Sequence, residues 1–208
     1  CATAVWSWAN ATTWPRQKRS PMTATALLLI DLQHAFAMRT AAGVPRSNPG
    51  AEAAIARLVS QARARGVAVM HVHHDDPNPA SAFRADQPGG QPLPCAAPLP
   101  GEPVFFKTGS SGFSGTGLST ALQDTGITRL IVAGAAIDYC VSSTVRAASD
   151  LGFAVDLVPD AVFGFSATGP DGAVHDPDIV LSVTLAGLGA DFARLVTADT
   201  VVWPAASA

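Results

Sequence analysis

Apolar and polar positions along the chain follow two alternating rhythms. Near-continuous apolar runs of strand length occur at ALLLID (26–31), VAVMHVH (67–73), PVFFK (103–107), RLIVAGA (129–135) and FAVDLVP (153–159), with a weaker RLVTA (194–198). Such runs mark strands buried on both faces. Segments of helical period lie between them. PGAEAAIARLVSQARARG (49–66) sets Ile55, Leu58, Val59 and Ala62 on one face and closes on Gly66. TGLSTALQDTG (116–126) predicts a helix with Thr116 as N-cap and Gly126 as its stop. CVSSTVRAASDLG (140–152) aligns Val141, Val145 and Ala148 and ends at Gly152, and DPDIVLSVTLAGLG (176–189) aligns Ile179, Val183 and Leu185–Ala186.

Alternation of strands with helices predicts an α/β fold: a three-layer, doubly wound, mainly parallel sheet of about six strands flanked by helices. No repeat of solenoid length is visible. The Pro- and Gly-rich stretch 77–102 is long for a connection. The strand series continues through it, so it reads as a pocket-covering loop within a single domain spanning 22–208. Residues 1–21 contain three tryptophans and a basic cluster but no strand or helix rhythm. They read as an extension outside the fold: a tag, a misplaced start or an accessory arm.

Composition narrows the class. The 208 residues are 48% apolar and 14% charged, with net charge −3, which suits a substantial core and argues against disorder. No basic run points to a nucleic-acid or anionic-membrane partner, and no apolar stretch has transmembrane length. Three scattered cysteines, Cys1, Cys95 and Cys140, are too few for a disulfide framework. Free thiols in a reducing, cytoplasmic setting are the simpler expectation.

Candidate chemistry stands at the strand ends. Ligands of open parallel sheets bind beyond the carboxyl ends of the strands. ALLLI ends in Asp31, PVFF ends in Lys107, and LIVAG runs through a short turn into Cys140. Singly, each has a bland reading: a turn-capping aspartate, a solvated lysine, a core cysteine. Together they are the parts of a thiol nucleophile with its base and an electrostatic stabiliser. Cys140 opens a helical pattern, where free N–H groups favour a thiolate and can receive an oxyanion. The small residues before it let a substrate carbonyl approach the backbone.

MHVHHDDP (70–77) places His71 and His73 in metal-site spacing, and resembles the first motif of metallo-β-lactamase-type enzymes. Only His175 follows residue 74, so the downstream ligands are missing. In a strand, His71 and His73 share one face and His74 takes the other. We read them as strand-end and pocket-wall residues, with no metal.

The motifs resemble the isochorismatase-like cysteine hydrolases, a group that includes nicotinamidases and N-carbamoylsarcosine amidases. LLLIDLQHAF (27–36) resembles the first-strand motif, and HHDDP (73–77) the second-strand exit. KTGSSGFSGTGL (107–118) carries Lys107, Ser111, Phe113, Thr116 and Leu118 in the family spacing. AGAAIDYCVSSTVRAASDLGF (133–153) resembles the nucleophile segment. The resemblance implies a catalytic triad of Asp31, Lys107 and Cys140, an oxyanion hole from the N–H groups of Ala136 and Cys140, and a cis peptide at Ala135–Ala136. It implies attack of the thiol on a small-molecule amide, a thioester intermediate and a homodimer or homotetramer, with no cofactor.

Three departures sharpen it. TAAGVPRSNPG (40–50) lacks the Asp and His with which nicotinamidases hold a metal, which disfavours that chemistry. A cysteine at 140 disfavours a vinyl-ether-cleaving isochorismatase. His34-Ala35 stands where the family often has Asn-Asp, and Ile137 where it often has Thr. Substrate-lining candidates are Phe36, Phe83, Phe113, Ile137, Tyr139 and Phe165, while Arg84 reads as a solvated loop charge. The alternatives to an amidase are an ether-cleaving hydrolase and a non-catalytic binding protein on the same scaffold.

Overall fold

A computed structural model describes residues 24–204. The expected extension 1–21 lies outside the described residues. The central strands are β1 (Ala24–Ile30), β2 (Ala68–His74), β3 (Val104–Lys107), β4 (Ile127–Gly134) and β5 (Ala154–Val162). A short hairpin, β6 (Ala167–Thr168) and β7 (Val174–His175), precedes the edge strand β8 (Arg194–Leu195). The six-stranded sheet runs β3-β2-β1-β4-β5-β8, and every pair in it is parallel.

Period-two alternation within buried strands splits the core into two layers. Leu27 and Leu29 of β1 face α2 (Ala51–Ala64), where they meet Ile55, Leu58 and Val59. Leu28 and Ile30 face the opposite layer, built from α3 (Leu118–Asp124), α4 (Ser142–Asp150) and α5 (Pro177–Asp191). Each of these fully buried aliphatic side chains contributes about 1.5–3 kcal/mol of burial free energy. β1 lies at the centre of the sheet because its neighbours cover both its edges and helices cover both its faces. No helix among the described residues is long and apolar enough to cross a membrane.

Local detail departs from the sequence expectations in three places. α3 is capped by Gly117, not Thr116. The Thr116 hydroxyl donates to Gly112 O at 2.6 Å and accepts from the Leu118 N–H at 3.3 Å, so it braces the preceding loop. α5 buries Pro177, Leu181 and Leu188, and leaves Ile179 and Val183 56% and 69% exposed. It is apolar around most of its circumference, so periodicity does not select its inner face. A third difference is α1 (His34–Ala41), which has no side-chain cap and buries only Ala35 and Phe36, too little pattern to predict a helix.

Gly134, the last residue of β4, makes the site possible. It sits at φ +139°, and a Cβ there would lie 2.1 Å from Ile30 O. Its missing side chain lets β4 end flush against the last carbonyl of β1, and the Ala135 N–H then donates to Ile30 O at 2.9 Å. The residues after both strands are thereby brought together. We predict that Gly134→Ala costs about 3 kcal/mol or more, since the blocking atom is backbone and cannot rotate away. Differential scanning calorimetry should show Tm lowered by roughly 6–12 °C; a Tm within 2 °C of the parent would contradict this reading.

Candidate active site

The parallel sheet carries three chemically distinct side chains to one edge. Asp31 follows β1, Lys107 ends β3, and Cys140 lies in a π-helical turn (Ile137–Val141) between β4 and α4. Lys107 is two strands away from β1, but its side chain crosses the end of β2 to reach the same point. Its Nζ lies 2.7 Å from Asp31 Oδ2 and 3.2 Å from Cys140 Sγ. It also contacts His74 Nδ1 at 3.1 Å and donates to Gly109 O at 3.1 Å. Asp31 and Lys107 are each only 1% exposed.

Backbone geometry aims each group. Asp31 adopts φ +49°, a left-handed conformation that costs a non-glycine residue on the order of 1–2 kcal/mol. Its N–H is held by Val72 O at 2.8 Å. The turn before Cys140 is pinned by Ile137, whose N–H donates to Phe163 O at 3.0 Å and whose side chain is fully buried. The Ala135–Ala136 peptide in this turn is cis. Thr144 links the Cys140 turn to the loop after Lys107: its hydroxyl donates to Cys140 O at 2.6 Å and accepts from the Gly112 N–H at 2.9 Å. Gln33, fully buried, clamps the exit of β2. It accepts from the His74 N–H at 2.8 Å and donates to His74 O and Gly90 O, each at 2.9 Å.

Charge and burial set the resting protonation. Burial pushes the Cys140 thiol up, the Asp31 carboxylate adds to this, and Lys107 only partly opposes them, leaving it at about 12. The resting form is therefore a neutral thiol. The helix start favours a thiolate, but burial beside a carboxylate outweighs it, and the π-turn places Cys140 ahead of α4. Burial likewise raises Asp31, with Lys107 pulling back. Asp31 Oδ2 is taken by Lys107, while Oδ1 is buried without a hydrogen-bond partner. His74 is lowered by burial and by Lys107, so it is neutral at pH 7, with Nδ1 accepting from the ammonium.

A cleft of about 200 Å³ opens over these groups. Asp31, Cys140, Ala136, Phe36, Phe83 and Tyr139 line it, together with Arg39, His74 and Ser110. Phe83 comes from the 77–102 loop, which Asp75 tethers by accepting the Ala85 N–H at 2.9 Å. Three expected lining residues stand elsewhere. Ile137 is in the core beneath the turn, Phe113 stacks on Phe153 at 5.9 Å, and Phe165 lies buried against Phe36. Arg84 pairs with Asp86 at 2.6 Å on the exposed loop. The other two strand histidines turn away: His71 meets Glu102 at 3.0 Å and His73 packs on Phe106. Among the described residues no group of three or more His, Cys, Asp or Glu is arranged to hold a metal.

Arg39 and Ser110 were not foreseen. Arg39 lies on the helix that the hydrophobic pattern does not predict, and Ser110 is one of many small polar loop residues.

A doubly wound α/β sheet holds a buried carboxylate–ammonium pair against a thiol, and comparison with known proteins specifies the family. The Isochorismatase domain matches residues 25–176, and the chain belongs to the isochorismatase family of hydrolases. A structure of that family from Chromobacterium violaceum ATCC 12472 superposes with TM-score 0.81 at 39% identity, covering 86% of this chain and 91% of that one. An uncharacterized isochorismatase-family protein of Bacillus subtilis, YrdC, is 29% identical over 85% of this chain and 94% of its own length. The N-carbamoylsarcosine amidase of an Arthrobacter species is 33% identical over 67% of this chain and 59% of its own length.

The electrostatics predict a slow thiol. At pH 7.5, iodoacetamide should alkylate Cys140 at least tenfold more slowly than free cysteine, whose pKa is about 8.5. Replacing Lys107 by Met should slow it further, since the ammonium favours the thiolate. Peptide-resolved mass spectrometry reads both rates, and fast alkylation of Cys140 at neutral pH would contradict the assignment.

Proposed function

We propose that the protein is a cysteine hydrolase that cleaves a small-molecule amide or carbamoyl C–N bond through a thioester, with Asp31, Lys107 and Cys140 as its catalytic groups. The observation that carries this reading is the buried Lys107 Nζ set between Asp31 Oδ2 and Cys140 Sγ, two residues that line the cleft. The amidase among its relatives supports the same bond class.

In this reading Asp31 Oδ1, the oxygen not occupied by Lys107, takes the thiol proton as Sγ attacks the carbonyl carbon. The carbonyl electron pair moves to oxygen, and the N–H groups of Ala136 and Cys140 receive the oxyanion. The C–N bond breaks as protonated Asp31 returns its proton to the leaving nitrogen. Water then gives a proton to Asp31 and attacks the thioester, the C–S bond breaks, and the sulfur regains its proton from Asp31. A raised carboxylate suits this shuttle, because burial makes Asp31 a stronger base than an exposed aspartate. Lys107 keeps the extra negative charge of each intermediate compensated in a dry site.

Two outcomes test it. Wild-type protein should release ammonia from members of a panel of small amides, ureas and carbamoyl amino acids, and Cys140→Ala should lose at least about a thousand-fold in rate while Tm stays within a few degrees. Ammonia release that survives in Cys140→Ala would remove the thiol from the mechanism. Activity requires ionised Asp31, so kcat/KM should fall as pH drops through a value above the ordinary 3.8, where burial has moved this carboxylate. An acid limb at or below 3.8 would show that another group is the base.

A further inference from the structure

Arg39 sits on α1 at the mouth of the catalytic cleft. Its guanidinium carbon lies 4.3 Å over the ring of Phe165. That ring stacks on Phe36 at 5.8 Å and 20°, and Phe36 meets Phe83 edge-on at 4.9 Å. Phe36 and Phe83 are cleft walls, so Arg39 is laid on an aromatic ledge continuous with the substrate pocket.

The charge of this arginine is unspent. Of the nine arginines among the described residues, six pair with a carboxylate: Arg46, Arg57, Arg63, Arg84, Arg129 and Arg194. Arg39, Arg65 and Arg146 do not, and of these three only Arg39 lines the cleft. Among the described residues it donates no hydrogen bond; its one fixed contact is the aromatic face, which leaves the N–H edge of the fork unengaged. Asp138 senses Arg39 but forms no salt bridge with it. Within the cleft Asp31 is already paired with Lys107, so Arg39 is the charged lining group without an ion-pair partner, and Asp138 acts on it only from beyond salt-bridge distance.

We propose that Arg39 is a specificity-determining subsite that binds a carboxylate of the substrate, and that the preferred substrates are small amides or ureas bearing such an anion a few bonds from the scissile carbonyl. This rests on the amidase reading above. The cleft volume of about 200 Å³ lies below the ~300–1,000 Å³ usual for larger ligands, so both ends of a short molecule engage at once. A planar guanidinium favours a carboxylate because two parallel N–H donors match its two oxygens. A flat aromatic ledge limits the rotamers Arg39 must give up on binding.

The test uses succinamate and its neutral isostere succinamide. Wild-type kcat/KM should favour succinamate by at least about tenfold, mainly through KM, as one charge-assisted contact supplies. Arg39→Ala should reduce that ratio at least about tenfold. Arg39→Lys should retain part of it, and Arg146→Ala, which also lacks a carboxylate partner but lies away from the cleft, should keep the wild-type ratio. Calorimetric binding of both compounds to the Cys140→Ala protein reads the subsite without turnover. Arg39-dependent binding of succinamate with no hydrolysis would uphold the subsite and count against the amidase reading alone. A preference that survives in Arg39→Ala, equal affinity for the two compounds, or no binding of succinamate would overturn the subsite.

Discussion

One buried ammonium organises the functional end of this fold. Lys107 Nζ has four neighbours within 3.2 Å: Asp31 Oδ2, His74 Nδ1, Gly109 O and Cys140 Sγ. An ammonium has three protons. The carboxylate, the imidazole, the carbonyl and the sulfur share those three protons, with Nζ donating to Sγ as well. In the proposed mechanism, a sulfur that becomes anionic is an acceptor already in place. Nothing must move to receive it, which is the condition for electrostatic stabilisation without reorganisation. Removing either Asp31 or Lys107 leaves the other charge buried and uncompensated, at a typical cost of about 3–5 kcal/mol. The sheet order, the Gln33 clamp and the Thr144 link all serve to hold those four acceptors around one nitrogen.

The three-layer parallel sheet was legible because the strands are buried on both faces. Runs such as ALLLI and LIVAG admit no other placement in a chain that alternates with helices. The strand-end positions of Asp31 and Lys107 followed from the same runs, since a parallel sheet sends every strand's carboxyl end to one edge. What periodicity does not encode is approach distance. That Lys107 spans β2 to meet β1 depends on strand order, and strand order is set by long-range pairing.

The misplaced residues have a common cause. Ile137 and Phe165 are near the site along the chain but buried in the core, and Phe113 is half-buried against Phe153, because each follows a turn whose geometry the sequence pattern leaves open. Arg39 was overlooked for the opposite reason: its helix is short, uncapped and anchored by two apolar residues. The tendency of a helix start to favour a thiolate is real but small. A helix terminus contributes a few tenths to about 1 kcal/mol, less than the burial of a charge beside a carboxylate. Local sequence reports the first effect, and only the folded core reports the second.

The central claim is that Cys140 forms a thioester, and partitioning by hydroxylamine tests it most directly. Hydroxylamine competes with water for a thioester, and adding it to the amide that the enzyme turns over fastest should divert product from free acid to hydroxamate in proportion to its concentration. Ammonia release should keep pace with the sum of the two products, and neither should form with Cys140→Ala. Free acid as the sole product at every hydroxylamine concentration, or ammonia from no amide tested, would contradict the account.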